Sequence, residues 1–481
     1  IGLDESTVES LLNIRKDYRH YTTDKLWTGI SLSTSAISNN IQVFPEYRMA
    51  YHEKTFVIHN DPNQNRRDFW FTSETQEALY TFHLPEGSIV TSLSLWINGR
   101  EEKSRLSTHQ KADSAYTNIV GVQNRDPAVI HWQEGNKITV NIFPCTTKED
   151  RKFKIGFTTP LKADAETLSL ENIWFEGPDG NDARESTNII VKNAKDIISS
   201  MPKEFVLDAN GNYKYQGDYN PYWEIKFKKV PLSKNTFCFG GHEYSLQESQ
   251  QETSVSQLEN VFLEVTNQWT KDEFEDVISK LRSKNIYAWL PEKTLVNETN
   301  KELVWANVSK NQFSIPFLYD ISQPGNSIVI TKTTYKSPVL SDLKNSTISD
   351  NFTTYFSKME DRIKVLNIGE EESAFWQTLR ELRLIDYEKC SKEKAISKIL
   401  TGQLNKCHED SSSITIYDSG LRINKTLTTD SLAKGNAPDH LLRVFAFNDI
   451  LRRIGKSYFE KEKYEDVLFR EAEEAYVVTP I

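Results

Sequence analysis

Between residues 41 and 244, apolar residues come in short runs in which every second position is apolar, and this two-residue period limits the fold most strongly. Such runs include Phe56 with Ile58, Phe69 with Phe71, Tyr80 with Phe82 and Leu84, Leu93 with Leu95 and Ile97, and Ile138 with Val140 and Ile142. Because successive side chains of a strand point to opposite faces of a sheet, each run predicts a strand buried on one side. Turn-forming sequences such as Pro85–Gly87 and Asn98-Gly99 separate the runs. The pattern therefore predicts an antiparallel β-sandwich over residues 41–244.

The apolar period changes after a polar, Ser- and Gln-rich stretch at residues 245–257, which we interpret as a linker. Beyond it, short apolar strands alternate with amphipathic helices through residues 258–481. This alternation predicts an α/β domain with a mainly parallel sheet and extra helices at its C-terminal end. Residues 1–40 hold apolar residues at helical spacing and predict a helical segment that leads into the sandwich. Within the sandwich, residues 107–120 predict one helix.

Charge and hydropathy exclude several classes of function. The 68 Asp and Glu residues outnumber the 58 Lys and Arg residues, which gives a formal net charge of -10. This balance argues against binding of nucleic acid through phosphate neutralisation and against a basic membrane patch. No stretch approaches 18 uncharged apolar residues, so no segment is predicted to cross a bilayer. The chain begins with Ile1, which we interpret as an excised or processed form with any membrane anchor outside it.

Four cysteines are far apart in the sequence: Cys145, Cys238, Cys390 and Cys407. None belongs to a Cys-x-x-Cys motif, so neither a zinc ribbon nor a thioredoxin-type redox site is indicated. Cys390 and Cys407 could close a short loop, and Cys145 and Cys238 could bridge two strands. Buried free thiols are the simpler interpretation, and the cysteines therefore do not fix the compartment.

A set of turn and strand motifs carries a specific resemblance. The segments are Ala78–Gly87, Leu93–Arg100, Lys111–Tyr116, Arg125–Trp132 and Ile142–Pro144. Their order is an apolar strand, a Leu-Pro-Glu-Gly turn, a strand closed by Asn-Gly-Arg, a helix that ends in Tyr, and an Arg-Asp-Pro-Ala turn into a strand. This order resembles the vault protein inter-alpha-trypsin (VIT) domain over residues 69–161. The motif residues are turn and packing residues, so the resemblance implies a scaffold rather than a catalytic site.

The second half of the chain resembles a von Willebrand factor A-like (vWA) domain, which usually follows a VIT domain. The resemblance rests on this order and on three fragments, Val261–Gln268, Ile328–Thr333 and Glu474–Ile481. A further segment, Asp439–Asp449, resembles the exosortase N-associated VIT proteins of Bacteroidetes, which are membrane proteins. That resemblance implies the soluble part of a membrane protein on the periplasmic or cell-surface side, with any membrane segment outside this chain.

The vWA resemblance implies a position for a metal site, and the residues at that position fit a metal poorly. Where metal-binding members carry Asp-x-Ser-x-Ser, this chain has Glu264, Thr266 and Gln268, and Lys332 stands at the place of an acidic ligand. Mg²⁺ prefers hard, anionic oxygen ligands, and an ammonium group repels it. We therefore expect a degenerate site without metal, at which Lys332 forms an ion pair with Glu264.

Hydrolase chemistry finds little support in the sequence. Asp418-Ser419-Gly420 matches the Asp-Ser/Thr-Gly of aspartic proteases, but those need two such aspartates, and the chain has one copy. A turn at the end of a strand explains the motif equally well. No nucleophile-elbow, zinc-protease, P-loop or dinucleotide-binding motif occurs.

These observations predict a non-enzymatic protein-binding or assembly module without cofactor, with protein partners in an exosortase-linked surface sorting system. The alternative is a metal-dependent adhesion module of the ordinary vWA type. The side chains of Glu264, Thr266 and Lys332 distinguish the two hypotheses.

Overall fold

The computed structural model describes residues 31–61, 75–107, 128–193, 197–249, 252–290, 292–335, 337–406, 409–428 and 435–480. The chain divides into two compact units. The first, here called the β unit, draws on Thr22–Gln250, Glu409–Ile450 and Tyr464–Ile481; the second, the α/β unit, draws on Gln251–His408 and Leu451–Lys463. The helix predicted within residues 1–40 and nearly all of the one predicted at 107–120 lie outside the described residues.

The first part of the chain consists almost entirely of strands. They are β1 (Leu32–Phe44), β2 (Met49–Asn60), β3 (Thr75–His83), β4 (Ile89–Ile97), β5 (Arg100–Lys103), β6 (Ala128–Gln133), β7 (Lys137–Thr146), β8 (Arg151–Pro160), β9 (Lys162–Ala163), β10 (Thr167–Glu171), β11 (Phe175–Glu176), β12 (Arg184–Val191), β13 (Ile198–Ser200), β14 (Val206–Leu207), β15 (Tyr213–Asp218), β16 (Glu224–Lys228), β17 (Phe237–Phe239) and β18 (His242–Glu248). The strand-rich sandwich predicted for this stretch is therefore present in outline.

Strands alternate with helices in the α/β unit. They are β19 (Glu252–Val255), β20 (Asn260–Glu264), α1 (Lys271–Lys280), β21 (Asn285–Leu290), β22 (Glu292–Val296), α2 (Lys301–Val308), β23 (Ser327–Thr331), α3 (Thr347–Lys358), β24 (Ile363–Asn367), α4 (Ala374–Glu381), β25 (Ile385–Lys389), α5 (Lys392–Thr401) and β26 (Gln403–Lys406). The remaining elements are β27 (Ser413–Ile416), β28 (Leu421–Leu427), α6 (His440–Gly455) and α7 (Glu465–Ala475). The division between the units falls inside α6, after Ile450.

The β unit is built around one eight-stranded sheet in the order β14-β15-β12-β1-β2-β8-β4-β5. Two four-stranded sheets, β11-β3-β7-β6 and β13-β16-β10-β9, supply the facing side chains of two apolar cores. The expectation of a purely antiparallel sandwich is wrong for one pair, because β1 and β12 run parallel. These two strands are far apart in the chain, and a long connection permits parallel pairing that a hairpin forbids.

The two cores lie along the same inward face of the long strands. Phe56 of β2 stacks on Phe153 of β8 in the first core, with ring centroids 5.0 Å apart. Ala50, on the same face of β2, belongs to the second core. Between them, His52 and Lys54 also point inward and are fully buried. A seam of polar side chains therefore separates the two apolar cores of the β unit.

The sheet of the α/β unit has the order β22-β21-β20-β23-β24-β25. Five of its strands run parallel, and β22 pairs antiparallel with β21. All five residues of β23 are buried, as expected for a strand covered on both faces. Thr270 caps α1 through a capping box with Glu273, which fixes the start of this helix.

The predicted domain boundaries differ from the observed organisation at three places. The predicted linker 245–257 contains the end of β18 and all of β19. β18 pairs with β28, so the chain after residue 408 contributes a hairpin to the β unit rather than to an uninterrupted domain 258–481. Residues 32–40 belong to β1, not to a helical lead-in. The polar composition of this stretch led to the linker prediction because only Tyr244 of β18 is buried, and the last two residues of the strand are exposed.

The C-terminal helices have the predicted apolar face. The buried residues of α6 include Leu441, Val444, Phe445, Ile450, Leu451 and Ile454. Among the residues that the structure describes, no helix is both long enough and apolar enough to cross a membrane.

Candidate functional site

The predicted site lies at the carboxyl edge of the parallel sheet in the α/β unit. Glu264 is the last residue of β20 and Thr331 is the last residue of β23, and the two are register partners. The order of the strands reverses between β20 and β23. Ligands of open α/β sheets usually bind at this place, so it is the first position to test for chemistry.

Glu264 is buried, and two donors inside the unit occupy one of its carboxyl oxygens. Its Oε2 accepts a hydrogen bond of 2.5 Å from Oγ1 of Thr331 and one of 2.7 Å from Nε1 of Trp376 on α4. Burial raises the pKa of Glu264 to about 7, against the effect of these two bonds, which lower it. The carboxyl group is thus an internal, partly protonated group rather than an open anionic ligand.

The ion pair predicted between Lys332 and Glu264 does not form. Nζ of Lys332 lies 2.8 Å from both carboxylate oxygens of Glu273 on α1. Register explains the error: Thr331 is the residue opposite Glu264, and the next residue of a strand points to the other face of the sheet. Lys332 therefore points toward the start of α1 and not toward the buried carboxyl group.

The pair between Lys332 and Glu273 is integrated with the cap of α1. Oε2 of Glu273 also accepts a hydrogen bond of 2.8 Å from the backbone N–H of Thr270. Partial burial opposes ionisation of Glu273, but the Lys332 ammonium and the Thr270 N–H together hold its pKa below the usual range. The N-terminus of α1, which could otherwise attract an anion, is occupied by a carboxylate of its own helix.

Thr266 and Gln268 take different positions at this edge. Thr266 is fully buried, and its Oγ1 donates a hydrogen bond of 2.9 Å to the backbone carbonyl of Lys332. Gln268 is exposed; its backbone N–H donates to Oγ1 of Thr266 over 3.3 Å. The hydroxyl group of Thr266 thus holds the backbone at Lys332 and is not open to a ligand.

Three residues of this cluster were not singled out as site residues in the sequence: Thr331, Trp376 and Glu273. The sequence does hold a signal for two of them: Thr331 closes the apolar run that starts at Ile328, and Glu273 follows Thr270 at the spacing of a capping box. Trp376 reaches the site from α4, which follows β24, and no sequence spacing indicates that approach. Within the described part of the chain, no group of three or more His, Cys, Asp or Glu side chains is placed to hold a metal ion.

In the β unit, the motif residues form the predicted turns. Asn98 and Gly99 have φ angles of 51° and 74° and connect Ile97 to its partner Arg100. Two consecutive positive φ angles in a two-residue loop define a type I′ hairpin, so this prediction is confirmed. Gly87 also has a positive φ, and a Cβ atom there would lie 2.9 Å from Cδ1 of Ile416. The Leu-Pro-Glu-Gly turn thus packs closely against the hairpin of β27 and β28.

Asp418 lies in that hairpin, between β27 and β28, in a turn of residues 417–420. Its backbone N–H donates a hydrogen bond of 2.9 Å to Oε2 of Glu86. The Asp-Ser-Gly motif therefore occupies a turn at the end of a strand. This is the structural explanation that the sequence offers beside an aspartic-protease site. A small cavity of about 90 Å³ beside it is lined in part by Glu86, Asp418 and Ser419.

The cysteines that the structure describes are free thiols. Cys145 is buried, and Cys238 and Cys390 are half-buried. The bridge considered between Cys145 and Cys238 is therefore absent. Cys407 lies outside the described residues, as does its predicted loop to Cys390.

Comparison with solved structures yields only distant likenesses. Leukotriene A4 hydrolase from Saccharomyces cerevisiae is 10% identical with a TM-score of 0.25, over 46% of this chain and 33% of that chain. A putative nutrient binding protein from Legionella pneumophila is 8% identical with a TM-score of 0.25, over 41% of this chain and 67% of that chain. An M1 zinc metallopeptidase from Deinococcus radiodurans is 10% identical with a TM-score of 0.23, over 54% of this chain and 55% of that chain. The chain spans about a third of the length of the first, and these likenesses are too low to assign a fold or a function.

A family model gives more specific information. No curated protein matches the sequence. The model of the vault protein inter-alpha-trypsin domain matches residues 48–157, which extend from the start of β2 almost to the end of β8. This range includes the Leu-Pro-Glu-Gly turn and the Asn-Gly hairpin that carry the resemblance in the sequence. The match identifies the chain as a protein that contains a VIT domain.

Proposed function

We propose that this chain is a non-enzymatic protein-binding or assembly module on the outer side of the cytoplasmic membrane, in which a VIT domain is combined with a metal-free vWA-like domain. Numbered along the chain, the six strands of the α/β sheet have the spatial order 3-2-1-4-5-6. This is the order of doubly wound α/β folds, and it supports the Rossmann-like part of the proposal.

The observation that carries the proposal is the internal pairing of the carboxyl edge. Glu264 is bound by Thr331 and Trp376, and Lys332 is bound by Glu273. A divalent cation at this edge would have to displace an ammonium group and would meet a buried carboxyl group whose pKa is raised. Mg²⁺ keeps several oxygen ligands in near-octahedral geometry and gives up its water reluctantly, so such an exchange is unfavourable.

The location and partner follow from the resemblance of Asp439–Asp449 to exosortase N-associated VIT proteins. We place the module on the periplasmic or cell-surface side of a membrane, held there by segments outside this chain, with protein components of a surface sorting system as partners. The exposed side chains of Asn267 and Gln268 at the carboxyl edge are the proposed contact residues for a protein partner.

Affinity capture tests the proposal. The tagged protein is incubated with the detergent-solubilised envelope fraction of its source cells, either in EDTA or in Mg²⁺, and captured proteins are identified by mass spectrometry. We expect the protein to capture the same sorting-system component under both conditions. The double variant Asn267→Arg/Gln268→Arg should no longer capture it. Gln403→Arg, at another exposed position of the α/β unit, is the matched control. Capture that requires Mg²⁺ would instead favour the metal-dependent adhesion module.

A further inference from the structure

The polar seam of the β unit places a lysine amine against an asparagine carboxamide. Nζ of Lys54 donates a hydrogen bond of 2.8 Å to Oδ1 of Asn172 and one of 2.7 Å to the carbonyl of Ile173. Lys54 is fully buried and Asn172 is 6% exposed. The two residues are 118 positions apart in the sequence: Lys54 lies on β2, and Asn172 directly follows β10. Burial of a lysine amine is costly, so its presence between two apolar cores requires an explanation.

We propose that Lys54 and Asn172 form an intramolecular isopeptide bond in the mature protein. The amine nitrogen of Lys54 attacks Cγ of Asn172, the new Nζ–Cγ bond forms, and the Cγ–Nδ2 bond breaks. One proton passes from Nζ to the departing Nδ2, and ammonia leaves. The step requires no oxidant, reductant or co-reactant.

The geometry brings the reacting atoms close together. Oδ1 is bonded to Cγ at about 1.2 Å, so the 2.8 Å hydrogen bond limits the Nζ–Cγ distance to at most about 4 Å. Reacting atoms in near-attack arrangements lie about 3–3.5 Å apart, so only a small displacement is needed. The leaving group is also held: Nδ2 of Asn172 donates a hydrogen bond of 2.8 Å to the carbonyl of Asn220.

The environment favours the reactive form of the amine. Only a neutral amine is nucleophilic, and burial lowers the pKa of Lys54 to about 8, with the nearby Glu185 carboxylate acting in the opposite direction. The neutral form of Lys54 is therefore more populated than that of an exposed lysine. Exclusion of water from the seam also protects the amide from hydrolysis.

Glu185 acts as a positioning residue in this arrangement. Its Oε1 accepts hydrogen bonds from Nδ2 of Asn39 at 2.6 Å and from Oγ1 of Thr187 at 2.8 Å, and its Oε2 accepts one from the backbone N–H of Asn220 at 3.2 Å. Since the carbonyl of Asn220 accepts from Nδ2 of Asn172, Glu185 positions the carboxamide through the backbone of a single residue, Asn220. A covalent bond here would join β2 of the eight-stranded sheet to the segment that follows β10. Such a crosslink would suit the proposed module, which must stay folded outside the cell.

Intact-mass measurement of the natively folded full chain tests the proposal. We expect a mass 17 Da below that of the sequence, which corresponds to the loss of one ammonia. Tryptic digestion should yield one linked product of residues 49–66 and 163–184, because a modified Lys54 is not cleaved. An unmodified mass, with residues 49–54 and 163–184 recovered as separate peptides, would overturn the proposal. A 17 Da loss that maps to an unlinked asparagine would overturn it equally.

Substitutions distinguish the loss of the crosslink from a loss of folding. Lys54→Arg and Asn172→Ser should restore the full sequence mass and shift the band to slower migration on a denaturing gel, since the loop of 118 residues is no longer closed. Glu185→Gln should lower the crosslinked fraction at a given time and leave the circular dichroism spectrum unchanged. Lys228→Arg, at an exposed position of β16, is the matched control and should retain the 17 Da loss. Crosslinking that persists in Lys54→Arg would refute the assignment to these residues.

Discussion

The indole N–H of Trp376 donates a hydrogen bond of 2.7 Å to Oε2 of Glu264, so a helix that follows β24 satisfies the carboxyl group at the end of β20. This contact joins two elements that are more than 100 residues apart in the chain. It replaces the ion pair with Lys332 that the sequence predicts. The carboxyl edge of the α/β sheet is thus closed by its own side chains, and several measurable consequences follow from that closure.

Glu264 should make the stability of the α/β unit depend on pH. Burial raises the folded-state pKa to about 7, above the ordinary value of 4.5. The folded state therefore binds the proton more tightly than the unfolded state, so the stability that Glu264 contributes is fully present below pH 4.5 and is lost as the pH rises through 7. The contribution lost is on the order of 3 kcal/mol. Urea unfolding between pH 4.5 and pH 8 should show this decline, and Glu264→Gln should flatten it; an equal slope in the variant would contradict the assignment.

Trp376→Phe should destabilise the protein in a pH-dependent way. The substitution keeps a buried ring but removes the donor to Glu264, at a cost of about 1–3 kcal/mol when the carboxyl group is ionised. At pH 5, where the buried group is protonated, the loss should be smaller. Trp269→Phe is the matched control, because Nε1 of Trp269 donates over 2.9 Å to the backbone carbonyl of Glu264, which does not titrate. Equal pH profiles of the two variants in urea unfolding would argue against the Trp376–Glu264 contact.

Arg48→Leu should loosen the hairpin of β27 and β28 within the β unit. The buried guanidinium of Arg48 donates to the carbonyls of Ser419 at 3.0 Å and Gly420 at 2.9 Å, and it pairs with Glu248. Without it, two carbonyls lose their donor, at a cost of about 1–3 kcal/mol. Hydrogen exchange over residues 413–427 should accelerate in the variant. Arg443→Leu, which removes a half-exposed pair with Asp439, should change the stability by less than about 0.5 kcal/mol.

Gly99→Val should destabilise the β unit by about 1–2 kcal/mol. Gly99 has a φ of 74°, and no heavy atom lies within 4 Å of the position that its Cβ would take. The cost therefore comes from the backbone conformation and not from a clash. Asn98→Gly, which suits the same type I′ turn, is the control and should be nearly neutral in thermal unfolding. A neutral Gly99→Val variant would contradict the turn geometry.

The sequence predicts the local features of this fold better than its long-range ones. The Asn98-Gly99 turn, which the sequence predicts, and the Thr270 cap both depend on residue types at fixed local spacing, and both form in the structure. The pairing of β18 with β28 could not be predicted, because the two strands lie on opposite sides of the whole α/β unit in the sequence. The wrong ion pair at Lys332 has the same origin: a shift of one residue in register moves a side chain to the other face of the sheet.

The position of Lys54 in the sequence already indicates a buried polar partner. It stands at an inward position of the strand that contains Phe56 and Ile58, where alternation predicts an apolar residue. A lysine in such a position is rare without a buried partner. The identity of that partner, Asn172, depends on the packing of two sheets and is visible only in the folded chain.

Calorimetric titration with divalent cations tests the central claim most directly. The full chain, freed of metal with EDTA, is titrated with Mg²⁺, Mn²⁺ or Ca²⁺ to millimolar concentration, alongside the variant Glu264→Gln. We predict no saturable heat for the unmodified protein, because Lys332 is paired with Glu273 and the carboxyl group of Glu264 is buried against Thr331 and Trp376. Saturable binding by the unmodified protein that is lost in Glu264→Gln would contradict the metal-free account and favour the metal-dependent adhesion module.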